Sequence, residues 1–468
     1  MLGKTKKLHF VGIGGIGMSG IAELLLNYGY KITGSDLLKT PITARLEEIG
    51  AEIQYSHNSS NIRNNIDVVV KSSAVTNSNI EIRTAIEKNI PVIRRAEMLC
   101  EIMRMKLGIC ISGTHGKTTT TSMTGMILTE AGFLPTLVIG GVLKNFDSNA
   151  VLGKSKYIVV EADEYDRSFL SLTPTIAGIC NIEEEHVDCY PTMKDLEKAF
   201  LQFANAVPFF GLIVACIDDP VVKQIYPEFE KRICTYGLDN NAMVRAENII
   251  FDNFDSTYDL QYLGKKLGTI HLSLPGIHNI QNSLLAASIA LELEIPFEDI
   301  RNGLEKFTGV YRRFEKKGYV NDILVYDDYA HHPSEVRKTL EAIKEGSDRR
   351  IITVFQPHLF TRTKMFYRKF AEALIISDVL IINDIYPARE EPIEGITGKL
   401  ISDVVHDLHH RNVYFIKNRK DIPSKLLHIT KSGDLVITMG AGNIFEVSEE
   451  FVRLLEKQTA TQSQKNNV

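Results

Sequence analysis

Apolar and polar positions follow two patterns that alternate along the chain. Short apolar runs rich in β-branched residues predict buried strands. Between them, apolar residues recur at helical spacing and predict amphipathic helices. The predicted strands are residues 8–12, 31–36, 67–70, 107–111, 157–162, 175–182, 323–327, 351–355, 379–382 and 435–439, and the clearest helices are 18–27, 97–106, 120–131 and 278–293. This alternation predicts an α/β fold with mostly parallel sheets.

Two segments depart from the alternation. Residues 243–275 have alternating apolar positions around a Gly264-Lys265-Lys266 turn, which predicts a small antiparallel insertion. Residues 457–468 are polar, so we expect a frayed end. Because 468 residues exceed what a single core usually supports, we predict domains at 1–107, 108–311 and 312–468.

Composition narrows the function classes. Lys and Arg total 53 against 58 Asp and Glu, so no basic excess favours nucleic-acid binding. No apolar run reaches the roughly 18 residues that span a membrane, and glycines interrupt the stretch that otherwise resembles a secretory signal. The six cysteines lack paired spacing and indicate reduced core thiols of a cytosolic protein.

A glycine turn between a strand and a helix carries the strongest chemical signal. Free N–H groups at a helix start face an anion, and glycines let a phosphate approach the backbone. Lys117 adds a cation, and the Thr118 hydroxyl can reach Mg²⁺, although Ile111 stands where the usual pattern has its first glycine. The predicted phosphate-binding residues are Gly113, Thr114, His115, Gly116, Lys117, Thr118 and Thr119.

Polar side chains at neighbouring strand ends suggest partners for this loop. Glu161 is a predicted Mg²⁺ ligand, with helix capping as the alternative. His186, next to Asp188, is a predicted metal ligand or a neighbour of one, although a lone histidine is often structural. Asn279 and Asn282 suit an adenine edge or a helix cap, and the pattern leaves both open.

A second glycine-rich turn follows the first predicted strand. Gly12, Gly14 and Gly17 form G-x-G-x-x-G, and Asp36 ends the next strand. Alone, this fingerprint predicts an NAD(P)-binding unit. A UDP-sugar satisfies the same requirements, since the loop holds a pyrophosphate and the acid reaches sugar hydroxyls.

The third predicted domain also places polar residues where strands end. Arg312 and Arg313 lie at its start, residues 327–333 read DDYAHHP, and His358 and Arg362 follow the next strand. Polar strand ends in all three domains predict a shared cleft.

Taken together, these motifs resemble the Mur ligase family, the ATP-dependent amide-forming enzymes of peptidoglycan precursor synthesis. The segments that carry the resemblance are GTHGKTT at 113–119, EADE at 161–164, NIEEEHVD at 181–188, PGIHN at 275–279, GVYRRFE at 309–315 and DDYAHHP at 327–333. GIGGIGMSGIAE at 12–23 and FQPHLFTRT at 355–363 are similar to members that add the first amino acid to the sugar nucleotide.

The resemblance implies a fold and a reaction. It implies a Rossmann-like domain for the UDP-sugar, a central P-loop ATPase domain with a mostly parallel sheet, and a Rossmann-like C-terminal domain that closes over the site. ATP phosphorylates the lactyl carboxylate of UDP-N-acetylmuramate, and the amine of L-alanine displaces phosphate from that acyl phosphate. Mg²⁺ is the implied metal, and the enzyme is expected in the cytoplasm.

It also implies residue roles. The implied catalytic residues are Lys117, Glu161, His186, Arg312 and Arg313, and the metal ligands are Thr118, Glu161 and His186. ATP contacts outside the loop are His278, Asn279, Asn282 and Asp327. UDP-sugar contacts are Gly12, Gly14, Gly15, Gly17, Met18, Ser19, Asp36, Ser72 and Ser73. Amino-acid contacts are Tyr329, His331, His358 and Arg362, whereas Leu359 replaces an arginine found in some members.

Three alternatives stay open at this point. A recycling ligase of the same family would attach a murein tripeptide to the same UDP-sugar. An NAD(P)-dependent dehydrogenase would leave Lys117 and Glu161 unexplained, and a non-catalytic ATP-binding module would leave the third-domain motifs unexplained. A monomer and a homodimer are equally compatible with the sequence.

Overall fold

The computed structural model describes residues 4–72, 74–104, 106–146, 148–185, 189–388 and 390–466, and they form three sheets flanked by helices. Two compact units result. The first is Met1–Ile249, Thr257–Leu272 and Asn279–Thr308, and the second is Ile250–Ser256, Ser273–His278 and Gly309–Val468. No helix in the described residues is long and apolar enough to cross a membrane.

The first sheet is five-stranded and parallel, in the order β3-β2-β1-β4-β5. Leu8, Phe10 and Val70 on its central strands are fully buried, since helices cover both faces of a parallel sheet. Its strands are β1 (Lys7–Val11), β2 (Lys31–Ser35), β3 (Glu52–Gln54), β4 (Val68–Lys71) and β5 (Val92–Arg94), and its helices are α1 (Ile16–Asn27), α2 (Pro41–Glu48), α3 (Ile80–Glu87) and α4 (Arg95–Met103).

The second sheet has ten strands in the order β15-β14-β13-β12-β11-β10-β6-β9-β7-β8. The central strand β6 is parallel to both β9 and β10, so these three carboxyl ends meet at one edge. The strands are β6 (Leu107–Ser112), β7 (Thr136–Leu143), β8 (Ser148–Val151), β9 (Tyr157–Glu161), β10 (Ile176–Ile179), β11 (Leu212–Cys216), β12 (Ile233–Gly237), β13 (Val244–Asp252), β14 (Asp255–Tyr262) and β15 (Lys265–Leu272). The helices are α5 (Lys117–Glu130), α6 (Met193–Asn205), α7 (Pro220–Ile225), α8 (Ile277–Glu292) and α9 (Phe297–Glu305).

The third sheet has six strands in the order β16-β17-β21-β18-β19-β20, and only the pair β16–β17 is antiparallel among its pairings. Separate apolar clusters, around Phe355 and Phe370 and around Phe451 and Val354, fill the layers on either side. The strands are β16 (Glu315–Val320), β17 (Ile323–Asp328), β18 (Arg350–Phe355), β19 (Val379–Asn383), β20 (Val413–Ile416) and β21 (Asp434–Met439). The helices are α10 (Pro333–Gly346), α11 (Phe360–Leu374), α12 (Lys399–Asp407), α13 (Ile422–Ile429) and α14 (Phe445–Asn466).

The predicted α/β class with mostly parallel sheets is confirmed, and two details differ. Residues 243–275, predicted as a small antiparallel insertion, contain β13, β14 and β15, which are joined by two-residue connections and continue the second sheet. The end predicted to fray is helical as far as Asn466, as part of α14. Helix α5 begins at Lys117 rather than at residue 120, because Gly116 caps it. The cysteines are free thiols, as expected, and all except Cys189 are buried.

Candidate active site

The turn between β6 and α5 is built around two glycines with left-handed backbone. Gly113 has φ +136° and Gly116 has φ +85°. A Cβ on Gly113 would lie 2.8 Å from Cys180 Cβ, and a Cβ on Gly116 would collide with Asn282 Oδ1. Conformation and space therefore both require glycine. The turn leads into the start of α5, and the first N–H groups of a helix lack intrahelical acceptors and can bind an anion.

Asn181, which follows β10, fastens this turn from the neighbouring strand. Its side chain accepts from His115 N at 2.8 Å and donates to His115 O at 3.0 Å. Its backbone oxygen accepts from Thr114 N at 3.0 Å. We did not single out Asn181 from the sequence, although an amide directly after a buried strand beside the loop was the available signal.

Lys117 forms a buried ion pair inside the loop. Its Nζ lies 2.8 and 3.1 Å from the Glu164 carboxylate oxygens and donates to Gly113 O at 2.7 Å. The side chains are 12% and 1% exposed. Burial alone would lower the pKa of Lys117, but the carboxylates of Glu164, Asp163 and Glu161 outweigh it and raise that pKa, so Lys117 is a cation. Glu164 is a second site residue that our sequence interpretation did not include.

Thr118 and Glu161, which the sequence analysis expects to be metal ligands, are in contact. Thr118 Oγ1 donates to Glu161 Oε2 at 2.9 Å, and Gly140 N donates to the same oxygen at 2.9 Å. A hydroxyl and a carboxylate next to a phosphate loop are the oxygen donors that Mg²⁺ prefers, so the residues present fit this ion. His186, the third predicted ligand, lies outside the described residues.

Asn279 and Asn282 are brought to the same turn from α8. Thr120 Oγ1 donates to Asn282 Oδ1 at 3.1 Å, and Asn282 Nδ2 donates to Asn279 Oδ1 at 3.3 Å. Both asparagines are buried. Asn282 therefore contacts α5 close to the phosphate loop, which the adenine-edge interpretation did not anticipate.

The first glycine-rich turn joins β1 to α1. Gly12 and Ile13 donate backbone hydrogen bonds to Ser35 O at 2.9 and 3.0 Å, and Gly14 N donates to Asp36 Oδ2 at 2.8 Å. The Asp36 carboxylate thus holds the loop through its backbone. A Cβ on Gly12 would lie 3.1 Å from Ser72 Cβ. Ser72, a predicted UDP-sugar contact, is therefore adjacent to the loop.

The remaining predicted UDP-sugar residues differ in exposure. Gly15 is the N-cap of α1, where no side chain caps the helix. Met18 and Ser19 are buried in the first turns of α1, and Ser19 Oγ donates to Ile16 O at 2.9 Å. Ser73 lies outside the described residues.

In the second unit, Arg312 is fixed by charge and by aromatic rings. Arg312 Nε donates to Asp327 Oδ2 at 3.2 Å, and Nη2 donates to Gly440 O at 2.7 Å. Its guanidinium lies 4.9 Å from the centre of the Tyr329 ring, and that of Arg313 lies 5.1 Å from the same ring. Burial raises the pKa of Asp327, while Arg312 opposes this change.

The predicted amino-acid contacts cluster beyond β17 and β18. His331 Nδ1 lies 3.0 Å from Tyr329 O, and the His331 and His358 ring centres are 5.9 Å apart. Burial lowers the pKa of His331 well below its usual value, and the nearby charge of Arg362 also lowers it, whereas Glu335 opposes the change. His331 is therefore neutral. His278, a predicted ATP contact, is half-buried in this unit, and burial lowers its pKa to about 4.

Models of known protein families match three successive segments of the chain. Residues 7–107 match "Mur ligase family, catalytic domain", residues 111–290 match "Mur ligase middle domain", and residues 312–442 match "Mur ligase, glutamate ligase domain". A protein of Geotalea daltonii named UDP-N-acetylmuramate–L-alanine ligase is 50% identical over 98% of this chain and 100% of its own length. The protein of that name from Salinibacter ruber is 48% identical over 98% and 97%.

Solved structures agree with this assignment. UDP-N-acetylmuramate–alanine ligase from Thermotoga maritima matches with a TM-score of 0.83 and 28% identity, covering 97% of this chain and 99% of that one. A murein peptide ligase from Psychrobacter arcticus matches with a TM-score of 0.72 and 25% identity, covering 96% and 98%. The chain has the three-domain architecture of these enzymes and belongs to the Mur ligase family.

Proposed function

We propose that this protein joins L-alanine to the lactyl carboxylate of UDP-N-acetylmuramate at the expense of ATP, in peptidoglycan precursor synthesis. The observation that carries the proposal is the 50% identity, along 98% of the chain, to a protein named for that ligation. The phosphate loop with its buried lysine supports the same chemistry. We place the reaction in the cytoplasm, in keeping with reduced cysteines and the use of ATP.

The reaction proceeds in two covalent steps. A lactyl carboxylate oxygen attacks the γ-phosphorus of ATP, and ADP leaves with the electron pair of the broken P–O bond. The alanine nitrogen then attacks the acyl carbon, loses a proton, and expels inorganic phosphate. Because hydroxide is a poor leaving group, the phosphorylation makes amide formation possible.

The first unit supplies charge where phosphate is transferred. The N–H groups at the start of α5 and the Lys117 ammonium hold the phosphates, whose negative charge grows in the transition state. Thr118 and Glu161 would hold Mg²⁺, with His186 as a further candidate ligand. When bound, Mg²⁺ would neutralise charge on the transferring phosphoryl group. The residues around Gly12, Gly14 and Gly17 bind the sugar nucleotide.

The second unit supplies the amino-acid pocket. Neutral His331, together with Tyr329 and His358, forms its wall, and the Arg362 guanidinium pairs with the alanine carboxylate. Arg312 and Arg313 add positive charge to the reacting groups. Asp327 and His278 contact ATP.

A recycling ligase that uses a murein tripeptide is the second candidate, because the Psychrobacter arcticus murein peptide ligase has a similar fold. The dehydrogenase alternative is set aside by family membership.

Phosphate release from ATP should be measured with UDP-N-acetylmuramate and each amino acid in turn, with the tripeptide as a parallel substrate. We expect release with L-alanine. Release with the tripeptide alone would overturn the proposal, and size-exclusion chromatography would distinguish a monomer from a homodimer.

A further inference from the structure

Gln356 directly follows β18 and joins three segments at the carboxyl edge of the third sheet. Its Nε2 donates to Asn383 Oδ1 at 3.0 Å and to Asn443 Oδ1 at 3.1 Å. Asn383 is the last residue of β19, and Asn443 lies between β21 and α14. Because β18 lies between β21 and β19, and all three strands are parallel, one side-chain nitrogen connects the ends of three neighbouring strands.

The partners of Gln356 fix the orientation of its amide. Asn383 Nδ2 donates to Ile416 O at 2.7 Å and to Lys417 O at 3.1 Å, so Asn383 turns its Oδ1 toward Gln356 as an acceptor. Gln356 must then present its Nε2. Gln356 is 4% exposed, and within the described part of the chain no group donates to its Oε1. Burying an acceptor without a donor destabilises a fold, so stability alone does not explain an amide at this position.

A strained residue follows Gln356 at the start of α11. Leu359, the N-cap of this helix, has φ +71° and ψ 138°, a combination that residues with a side chain disfavour. Such a conformation persists only where surrounding contacts hold the backbone. Here Leu359 N donates to Tyr386 O at 3.0 Å, and Tyr386 N donates to Pro357 O at 2.8 Å. The strained turn is therefore held against the segment that follows β19.

The bond from Gln356 to Asn383 lies between this turn and the regular sheet. The strands β18 and β19 pair up to this bond, and a bridge between His358 and Tyr386 follows it. The rings of His358 and Tyr386 stack with their centres 5.8 Å apart. The place of the His358 ring therefore depends on the contacts that hold this backbone, and the side chain of Gln356 supplies one of them.

The bond from Gln356 to Asn443 holds the turn between β21 and α14. In that turn, Gly440 O accepts the hydrogen bond from Arg312 Nη2 at 2.7 Å. A Cβ on Gly442 would collide with Gln356 Oε1, so the turn approaches the amide closely only because residue 442 is glycine. The same amide thus connects the backbone that carries the amino-acid pocket with the backbone oxygen that holds Arg312.

We propose that Gln356 is a positioning residue of the amino-acid pocket. Through its bonds to Asn383 and Asn443, it holds the turn at Leu359 and so sets the place of His358. This inference rests on the proposed function, because it deepens the amino-acid pocket assigned there. A primary amide nitrogen has two protons and can bridge two acceptor oxygens, which no apolar side chain of this size can do.

Steady-state phosphate release by the full chain, with L-alanine and UDP-N-acetylmuramate varied in turn, tests the inference. Gln356→Met keeps the length of the side chain and removes both bonds. We expect the KM for L-alanine to rise about tenfold or more, and the KM for UDP-N-acetylmuramate to stay within about twofold of wild type. The matched control, Thr353→Val, removes another buried hydrogen bond of β18, at 2.6 Å to Ser377 Oγ. It should lower the thermal transition and leave the KM for L-alanine unchanged.

Asn443→Leu is a second variant, because it removes one acceptor of the amide without altering β18. We expect it to raise the KM for L-alanine, and Asn443→Asp, which keeps an acceptor oxygen, should lie nearer wild type. The inference is overturned if folded Gln356→Met and Asn443→Leu keep the wild-type KM for L-alanine, or if both KM values rise by the same factor. Neither result would affect the proposed function. If wild-type protein releases no phosphate with L-alanine, the proposed function fails, and this inference fails with it.

Discussion

At the scale of single residues, the candidate active site contains charged side chains whose positions are fixed by contacts within the fold. Lys117 is surrounded by three carboxylates, which keep it protonated although it is buried. Thr118 and Glu161 already lie within hydrogen-bond distance of each other. Preorganised charges act strongly in a site from which water is excluded, so single substitutions here should have large effects.

Replacing Lys117 with Ala should abolish ligation but leave UDP-sugar binding nearly intact. Loss of a charge that acts mainly in the transition state costs about 3 kcal/mol or more, which is at least a hundredfold in turnover. Phosphate release and calorimetric UDP-sugar binding test this. Because Lys117→Ala leaves the Glu164 charge buried without its cation, the double variant Lys117→Ala/Glu164→Gln is the matched control for folding. Turnover within threefold of wild type would refute the role of Lys117.

Glu161→Gln should raise the Mg²⁺ concentration needed for activity and reduce maximal turnover. The amide keeps the shape and one acceptor oxygen but loses the charge that a hard cation prefers. A Mg²⁺ titration of phosphate release measures the effect, and His186→Ala should act in the same direction. A titration curve that superimposes on that of wild type would show that Glu161 only holds Gly140 and Thr118.

Arg362→Ala should raise the KM for L-alanine more than the KM for ATP or the UDP-sugar. A charge-assisted pair with a carboxylate contributes about 1.5–3 kcal/mol, which corresponds to roughly ten- to a hundredfold in affinity. Steady-state kinetics with each substrate varied in turn provide the measurement. Equal increases in all three KM values would instead assign Arg362 to positioning of the second unit as a whole.

At the scale of elements, α3 holds the end of β2 and thereby the first glycine-rich turn. Glu81 on α3 is fully buried and accepts hydrogen bonds from Ser35 Oγ and Asn61 Nδ2, each at 2.5 Å. Burial alone would raise the pKa of Glu81, but the His9 ring 3.7 Å away and the hydrogen bonds from Ser35 and Asn61 outweigh it and lower the pKa to about 2. Since Ser35 O anchors the turn, this carboxylate supports the proposed UDP-sugar site.

The lowered pKa predicts how stability depends on pH. A carboxyl group with a depressed folded-state pKa stabilises the protein above its unfolded value near 4.5, and this contribution is lost as the pH falls toward 2. Between pH 6 and pH 3 we expect Glu81 to account for about 2 kcal/mol of lost stability. Urea unfolding of wild type and Glu81→Gln across this range tests it. An identical pH dependence in the two proteins would contradict the prediction.

At the scale of the whole molecule, sequence patterns predict the local units of the fold better than the contacts between distant residues. Apolar runs and glycine turns identified the strand–turn–helix units because those signals are local. The Lys117–Glu164 pair joins residues that are 47 positions apart, so no local pattern indicates it. For the hydrogen bonds of Asn181 to His115, the sequence offers only the position of an amide after a buried strand. The predicted domain boundaries remain a prediction, since contacts divide the chain into two units only.

The turn between β13 and β14, which contains Phe254, is another feature that no local sequence pattern indicates. This turn belongs to the second unit, where the Phe254 ring centre lies 5.7 Å from that of Phe314 and 5.6 Å from that of Tyr326. We expect two thermal transitions, and Phe254→Ala should lower that of the second unit by several degrees, because such truncations cost about 3 kcal/mol. Differential scanning calorimetry measures both transitions. Phe209→Ala, at a position 86% exposed in the first unit, is the matched control and should change neither. If Phe254→Ala lowered only the transition temperature of the first unit, the assignment of Phe254 to the second unit would be refuted.

The Lys117–Glu164 pair has a consequence for how a nucleotide enters the loop. The Glu164 carboxylate pairs with the Lys117 ammonium, to which the proposed function assigns a phosphate. Under that proposal, nucleotide binding exchanges one anion for another on this ammonium. The nucleotide affinity would then be the difference between two pairings, weaker than the phosphate contacts alone would give. The same exchange would favour release of ADP, because Glu164 would pair with Lys117 again as the phosphate departs.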